Sequence, residues 1–288
     1  MNPNKRVALF FAITLLSIGL AMQSAFAALD LEAEADALFT AISSSQPIPV
    51  IDTPEVERTE DNAYAVQKIL FDKILAANKG DSIAGIKGAL TAPAQMKRFE
   101  SSVPALAPLL RSGLTETNGS DLVEFKSFKG MMLEVELTFK TAVPITEPVK
   151  DETALKTLFA SVHPSIEIPQ LYFADMSKVK FFEIVEAGVA SKKFLVGPAF
   201  KPSGVDVDNV NVKLLCDGNT VNEGKSSDAL GGQWKALLWI VNNTLAHGYT
   251  LDAGQYIMTG ALGSMIPAKP GVYKADYGFS ALNFKVSE

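Results

Sequence analysis

Two glutamates, placed two residues apart in an apolar segment, are the most informative chemical feature of the sequence. Glu134 and Glu136 alternate with Leu133, Val135 and Leu137, and this alternation is typical of a β-strand. Successive side chains of a strand point to opposite faces, so the two carboxylates share one face, roughly 7 Å apart at their roots. Carboxylates in this arrangement can bind one hard divalent cation. The same pattern is also typical of the solvated face of a half-buried strand.

A third acid favours the metal-binding interpretation. Glu167 is the single acid in another short apolar segment, residues 165–168, which also predicts a strand. Three carboxylates on two strands predict a site for Mg²⁺ or Mn²⁺, ions that prefer oxygen ligands and keep coordination positions for water or substrate. Zinc is disfavoured, because the chain has two histidines and one cysteine.

Lys87 is the candidate acid–base residue. It lies between Gly85 and Gly88 in an apolar segment, and close to a metal-bound substrate its ammonium group can donate a proton or stabilise an enolate. The alternative is a lysine on an edge strand that protects the sheet against aggregation. Nucleophile-elbow, phosphate-loop and dinucleotide motifs are absent, and His163 and His247 are interpreted as structural or surface residues.

The periodicity of the apolar residues predicts the elements that must position these side chains. Helices are predicted over 29–43, 59–78, 151–161 and 232–246, with a helical turn from Thr91. Strands are predicted over 83–90, 122–127, 132–140, 165–168, 194–197, 209–216, 220–223, 255–260 and 279–286, and a loop over 101–121. This order predicts an α+β fold, with a small helical N-terminal lobe over 28–120 and a β-rich domain over 121–288.

The N-terminus predicts export from the cytoplasm. Lys5 and Arg6 precede a long apolar run, and Ala25-Phe26-Ala27 is a small-x-small cleavage site. Residues 1–27 are therefore interpreted as a signal peptide cleaved after Ala27, with an uncleaved membrane anchor as the alternative. The mature protein of 288 − 27 = 261 residues would be periplasmic or secreted, without stable membrane insertion. Its formal charge of −6 − 2 = −8 disfavours nucleic acid as a partner.

Several motifs occur together in a characteristic order. They are Ala63-Tyr64-Ala65-Val66-Gln67, Gly85-Ile86-Lys87 with Leu90-Thr91, Glu134-Val135-Glu136, Ile166-Glu167-Ile168, Leu237-Leu238-Trp239 with Gly248, Ala253-Gly254-Gln255 through Thr259-Gly260, and Phe284. With these motifs the chain resembles, over about residues 60–286, the 2-keto-4-pentenoate hydratase group of the fumarylacetoacetate hydrolase (FAH) superfamily. The resemblance implies an FAH-like mixed β-sandwich roll.

The resemblance also implies a metal site and a reaction. The three acids that bind Mg²⁺ or Mn²⁺ in the family correspond to Glu134, Glu136 and Glu167, and the family's lysine corresponds to Lys87. The ion holds the carboxylate and keto oxygens of a small 2-keto acid and stabilises an enolate, the lysine assists proton transfer or binds the substrate, and water adds to a conjugated double bond. Related members decarboxylate or cleave a C–C bond. We also expect a homo-oligomer.

Three segments depart from the family pattern. Hydratases of this group carry an acid after the lysine that takes part in proton shuttling, whereas residues 101–112 contain no Asp or Glu and include Arg111. Ala187-Gly188 replaces an Asp-Asn pair, and Gly232-Gln233-Trp234 replaces Gly-x-Pro. Three functions therefore stay open: an exported hydratase or lyase, an acylpyruvate-type C–C bond hydrolase, and a protein that binds metal and keto acid without turnover.

Overall fold

The structure is a computed structural model that describes residues 29–117 and 121–288. The predicted signal peptide, residues 1–27, and its cleavage site lie outside the described residues. Across the described part of the chain, no helix has the length and apolar character needed to cross a membrane.

The helices of the described chain are α1 (Leu31–Ser43), α2 (Glu60–Ala77), α3 (Pro93–Arg98), α4 (Glu152–Lys156), α5 (Phe181–Glu186) and α6 (Gln233–Ala246). Helices α1, α2 and α4 begin at residues whose side chains cap the first turn. The side chains of Asp30 and Thr59 accept hydrogen bonds from free backbone N–H groups in the first turns of α1 and α2, which stabilises both starts. Gly248, with φ +74°, follows the end of α6. The predictions of α1, α2 and α6 are confirmed.

The strands form two sheets. They are β1 (Ile83–Ala89), β2 (Ala105–Leu110), β3 (Leu114–Glu116), β4 (Asp121–Glu124), β5 (Met132–Thr141), β6 (Phe159–Ile168), β7 (Lys193–Val196), β8 (Asn211–Cys216), β9 (Asn219–Lys225), β10 (Tyr256–Met258), β11 (Ile266–Pro267), β12 (Gly271–Asp276) and β13 (Ala281–Ser287). The larger sheet has the order β2-β1-β10-β5-β6-β7-β3, with β11 paired to β5. The smaller sheet has the order β4-β13-β12-β8-β9. The predicted α+β fold class, with helices near the N-terminus, is confirmed.

Parts of the secondary-structure prediction were wrong. The predicted loop over 101–121 contains β2 and β3, and the prediction was misled by Pro108, which is tolerated because β2 lies at the edge of its sheet. The predicted helix over 151–161 ends at Lys156, and β6 begins already at Phe159. The sequence analysis also missed α5 and β12.

The larger sheet combines strands from both sides of the predicted boundary at residue 120. Strands β1, β2 and β3 precede this residue, whereas β5, β6, β7 and β10 follow it, and all seven hydrogen-bond in one sheet. The division into lobes 28–120 and 121–288 stays a prediction, but the hydrogen-bonded core of the larger sheet crosses it.

Helix α2 is anchored to the larger sheet and to α5 by buried polar side chains. The Tyr64 hydroxyl accepts a hydrogen bond from the Leu106 N–H on β2. The Gln67 amide donates to the carbonyl oxygens of Leu106 and Val185 and accepts from the Tyr249 hydroxyl. A buried amide without partners is costly. These bonds therefore fix α2 and α5 against β2, the edge strand that pairs with the Lys87 strand, β1.

Candidate metal centre

The strand register brings the three predicted acids together. Strands β5 and β6 pair antiparallel, with Glu134 directly opposite Glu167, and Glu136 follows two residues later on the same face of β5. All three side chains are buried, with exposures of 7%, 0% and 1% for Glu134, Glu136 and Glu167. Each offers a carboxylate oxygen, and these three oxygens lie within 4.8 Å of one another.

The acids repel one another strongly in this buried position. Burial, together with the charge of Glu167, raises the pKa of Glu134 to about 8. The pKa of Glu136 is also raised, by burial first and then by the charges of Glu167 and Glu134. Removal of carboxylates from water and like charges both disfavour the ionised form, so the three acids need a compensating positive charge.

Lys87 supplies part of that charge. It lies on β1, one strand beyond β10, opposite Met258, which in turn lies opposite Thr138 on β5. Its ammonium group, 1% exposed, forms an ion pair with Oε1 of Glu167. The alternative of an exposed edge-strand lysine is wrong, because β2 covers β1 on its outer side and the side chain is buried. The structure thus brings all four predicted site residues together.

Two further groups hold the acids in place. The Gly260 N–H donates to Oε2 of Glu136 at 2.8 Å, and the Gln95 amide on α3 donates to Oε1 of Glu134 at 3.1 Å. Gly260 has φ +101°, and a Cβ at this position would lie 2.1 Å from Oγ1 of Thr91, so only glycine fits without rearrangement. The sequence analysis missed the role of Gln95, although its position eight residues after Lys87, in the first turn of a short helix, placed it near the site.

Unpaired carboxylate oxygens show that the site suits a divalent cation. Oε1 of Glu136 and Oε2 of Glu167 are buried without a hydrogen-bond partner. Buried polar atoms are normally paired, and two oxygen ligands of one Mg²⁺, Mn²⁺ or Ca²⁺ ion lie at most about 5 Å apart. The donor set is purely carboxylate, which suits hard cations rather than zinc.

A small cavity of about 40 Å³ opens beside this centre. Lys87, Gln95 and Glu134 are its polar lining residues, and the other nine of the twelve are apolar. None of the lining residues is an acid other than Glu134, and none comes from residues 101–112. The acid that family hydratases carry after the lysine therefore has no counterpart in this lining.

The two histidines have structural contacts, as predicted. His163 is buried, with Nε2 at 2.8 Å from Oγ of Ser161 and Nδ1 at 2.8 Å from the Gly197 carbonyl oxygen. His247 stacks on the Tyr64 ring with 3.7 Å between ring centroids. Neither histidine lines the cavity.

Comparison with known proteins identifies sequences that are similar to this chain. No family model matches the sequence. The 2-keto-4-pentenoate hydratase of Paraburkholderia xenovorans (strain LB400) is 26% identical over 242 residues, which are 83% of this chain and 88% of the hydratase. The predicted resemblance to the 2-keto-4-pentenoate hydratase group of the FAH superfamily is thereby confirmed.

Solved structures of the superfamily share the fold. The 4-oxalocrotonate decarboxylase from Pseudomonas putida G7, complexed with magnesium and adipate, superposes with a TM-score of 0.80 at 21% identity, covering 89% of this chain and 97% of that one. A protein from Yersinia pestis CO92 assigned to the fumarylacetoacetate hydrolase family superposes with a TM-score of 0.54 at 14% identity, covering 70% and 91% of the two chains. The predicted FAH-like fold is thereby confirmed.

Proposed function

We propose that this protein is a divalent-metal-dependent enzyme, a hydratase or lyase that acts on a small 2-keto acid. One observation carries the proposal: three buried glutamates and a buried lysine converge on one face of the larger sheet, and two of the carboxylate oxygens are unpaired. The relatives support it, since they include 2-keto-4-pentenoate hydratases and a decarboxylase complexed with magnesium.

Each site residue has a role in this proposal. Glu134, Glu136 and Glu167 would hold Mg²⁺ or Mn²⁺, and the bound ion supplies Lewis-acid polarisation of the keto group. Gln95 and Gly260 orient the carboxylates by hydrogen bonds. Lys87 lines the cavity, and its ammonium group would donate a proton to a substrate atom, or a hydrogen bond to a substrate oxygen that becomes negative.

A turnover assay tests the proposal. The protein is incubated with Mg²⁺ or Mn²⁺ and 2-hydroxypenta-2,4-dienoate or an acylpyruvate, and the absorbance of the conjugated system is followed. We expect a decay of the dienoate that EDTA abolishes and that Lys87→Met slows at least 100-fold. A decay of the acylpyruvate alone would instead identify a C–C bond hydrolase. The absence of turnover with all substrates and both ions would contradict the enzymatic proposal.

A binding protein without turnover is the second candidate. It is favoured by the cavity lining, which offers no acid except a proposed metal ligand to exchange protons with water. Calorimetry that shows metal-dependent binding of a 2-keto acid, combined with the absence of turnover, would establish this function.

We further propose that the protein is exported and cleaved after Ala27. The charged start, apolar run and small-x-small site of residues 1–27 support this proposal. N-terminal sequencing of the protein from fractionated cells of its source tests it, and we expect Ala28 as the first residue of a periplasmic or secreted form. A chain that keeps residues 1–27 in the membrane fraction would instead show an uncleaved anchor. The homo-oligomer stays a prediction.

A further inference from the structure

A second cavity, of about 570 Å³, is lined by the C-terminal parts of α1 and α2, by the end of β2 and the turn after it, and by both ends of the segment 187–192. We call it the outer cavity, and the cavity beside Lys87 the inner cavity. The volume of the outer cavity lies within the roughly 300–1,000 Å³ of most small-molecule sites. We propose that the outer cavity binds a small amphipathic carboxylate, and that its occupancy weakens ligand binding in the inner cavity; this second part rests on the proposed function.

The apolar lining of the outer cavity is left partly uncovered. It includes Phe39, Ile42, Leu70, Phe71, Ile74 and Leu110. Leu70 and Phe71 are buried, whereas the other four are half-buried. Half-exposed apolar side chains gathered around a concave surface are typical of ligand-binding grooves. A hydrocarbon chain that covers them gains free energy, because it removes their surface from water.

Two lysines of the outer cavity carry charges that the protein does not pair. Lys79 and Lys192 line the cavity and are exposed, and within the described part of the chain neither ammonium group has a partner. The acid of the lining, Asp81, accepts hydrogen bonds from the Ser82 N–H and from the N–H and hydroxyl of Ser112. Two cations and one acid leave one net positive charge, which a monoanionic carboxylate balances.

Residues 187–191, which we call the bridging loop, line both cavities. Ala187 and Ser191 line the outer cavity, whereas Val189 and Ala190 line the inner cavity. An occupant of the outer cavity that contacts the ends of the bridging loop can therefore shift the equilibrium between positions of its middle, to the extent that it binds one of them more tightly.

The backbone of the bridging loop is strained. Gly188, Val189 and Ala190 have φ of +71°, +50° and +57°, a left-handed run that is unfavourable for residues with a Cβ and above all for β-branched valine. The ring of Phe71, which lines the outer cavity, lies against Gly188, since a Cβ on this glycine would be 2.7 Å from the ring. Strained backbone of this kind occurs at ligand clamps and switch regions, and the Phe71 ring presses on it without an intermediate residue.

The size of the inner cavity sets the direction of the effect. Its volume is about 40 Å³, so a small inward shift of Val189 or Ala190 removes a large share of it. An occupant of the outer cavity that presses Phe71 and Ala187 towards the bridging loop should therefore weaken the binding of a 2-keto acid. Coupling between two binding sites is reciprocal, so the keto acid should weaken binding in the outer cavity by the same factor.

Calorimetry in the presence of EDTA tests the outer site, because a carboxylate then has no metal ion to bind. The probes are octanoate and octylammonium, which share the apolar chain and differ in the sign of their charge. We expect octanoate to bind at least tenfold more tightly. Equal affinities would show an apolar surface without selection for anions and would overturn the proposed site, as would the absence of octanoate binding.

Charge reversal at the two lysines locates the site. We expect the double variant Lys79→Glu/Lys192→Glu to bind octanoate at least tenfold more weakly, with circular dichroism unchanged because both positions are exposed. The matched control is Lys201→Glu/Lys269→Glu, which makes the same change at two exposed lysines outside the cavity and should retain the affinity. An unchanged affinity in the first variant, or an equal loss in both, would overturn the proposed site.

The coupling is tested by the binding of 2-oxopentanoate in the presence of Mn²⁺. We expect saturating octanoate to weaken this binding at least fivefold, and Lys79→Glu/Lys192→Glu to lose the effect. An unchanged affinity for the keto acid would overturn the coupling and leave the outer site standing. An effect that persists in the double variant would show competition at the metal ion and would also overturn the coupling. If 2-oxopentanoate does not bind, the coupling falls with the proposed function, whereas the octanoate measurements still decide the outer site.

A second copy of this chain is the alternative occupant of the outer cavity. Light scattering of the unmodified protein and of Ile42→Glu, which places a charge in the apolar lining, distinguishes the two occupants. We expect Ile42→Glu to keep the oligomeric state and to bind octanoate at least tenfold more weakly. A changed oligomeric state in Ile42→Glu, with no octanoate binding by the unmodified protein, would assign the outer cavity to a subunit interface and overturn the inference.

Discussion

Two groups of three buried glutamates occur within residues 29–117 and 121–288, and each has one cationic partner. The first is the candidate metal centre, with Glu134, Glu136, Glu167 and Lys87. The second, which we call the helical acid cluster, consists of Glu34 on α1, Glu183 and Glu186 on α5, and Arg58. The exposures of its glutamates are 6%, 1% and 1%, so composition and burial do not distinguish the two groups.

Geometry does distinguish them. Within the part of the chain that the structure describes, the metal centre is the group of three acids whose ligand atoms converge within 4.8 Å. In the helical acid cluster, Glu34 accepts from the Thr53 hydroxyl at 2.7 Å, and Glu183 forms an ion pair with Arg58 at 2.9 Å. Glu183 also accepts from the N–H of Lys180. Glu34 and Glu183 thus have separate protein partners, whereas Oε2 of Glu34 and Oε2 of Glu186 are buried without a hydrogen-bond partner.

The comparison shows that the type of secondary structure that carries buried acids affects whether their carboxylates converge on one point. Paired strands place side chains of one face in rows about 5 Å apart, so three carboxylates converge on a single point. In the helical acid cluster the acids come from two helices, and Glu34 and Glu183 are held by two different partners, Thr53 and Arg58. The cavity beside Lys87 adjoins the first group, whereas in the second group Glu34 lies close enough to Glu186 to raise its pKa.

The two groups should differ most in the loss of stability caused by replacing the cationic side chain of each, Lys87 or Arg58. Lys87→Met leaves three buried carboxylates without a positive charge, and we expect a loss of about 3 kcal/mol in the free energy of unfolding without metal. Arg58→Met should cost about 1 kcal/mol, because the Arg58 side chain is 20% exposed and solvent screens its ion pair. Urea unfolding at pH 8 measures both. Equal losses would contradict the proposed difference between the two groups.

The affinity for Mn²⁺ should depend on the acids around Glu136 and not on the helical acid cluster. Glu136→Gln removes a charged ligand, and we expect at least 100-fold weaker Mn²⁺ binding by calorimetry, with circular dichroism unchanged. Glu186→Gln makes the same chemical change in the helical acid cluster and serves as the control, with unchanged metal affinity. Unchanged affinity in Glu136→Gln would remove Glu136 from the set of ligands.

The helical acid cluster should make the free energy of unfolding depend on pH. Burial and the neighbouring Glu34 raise the pKa of Glu186 from 4.5 to about 10. The folded state therefore binds this proton more tightly than the unfolded chain does, and the contribution of Glu186 to stability falls as pH rises from 4.5 towards 10.

Glu186→Gln removes this dependence, because the amide stays neutral. We expect the variant to equal the unmodified protein in stability near pH 5 and to exceed it at pH 8 by on the order of 2 kcal/mol. Thermal and urea unfolding at both pH values measure the difference. A difference of the same size at pH 5 and pH 8 would contradict the raised pKa.

The smallest expected effect is on metal affinity, when a hydrogen bond that positions one of the proposed metal ligands is removed. Gln95→Leu removes the hydrogen bond to Glu134 while nearly preserving side-chain volume, and we expect about tenfold weaker Mn²⁺ binding. Thr53→Val is the control, since it removes the hydroxyl that donates to Glu34 in the other cluster. Calorimetry that shows equal affinities for both variants would mean that Gln95 does not position Glu134.

The sequence determined the candidate metal centre more fully than the fold around it. The alternation around Glu134 and Glu136 and the single acid in 165–168 were sufficient to predict three acids on two strands. Helices α1, α2 and α6 were predicted because their apolar spacing and capping residues are local signals. Strand β2 was missed because its proline is acceptable only at the edge of a sheet, and edge position is a tertiary property.

Only the tertiary structure decided which side chains meet. The pairing of Glu134 with Glu167, the hydrogen bond from Gln95 and the strained positions of Val189 and Ala190 depend on strand register and on packing between segments far apart in sequence. The helical acid cluster gave no signal in the sequence, because its glutamates lie in unrelated local contexts and become neighbours when α1 packs near α5. Local patterns fix which face of an element carries a charge, whereas long-range packing decides what that face meets.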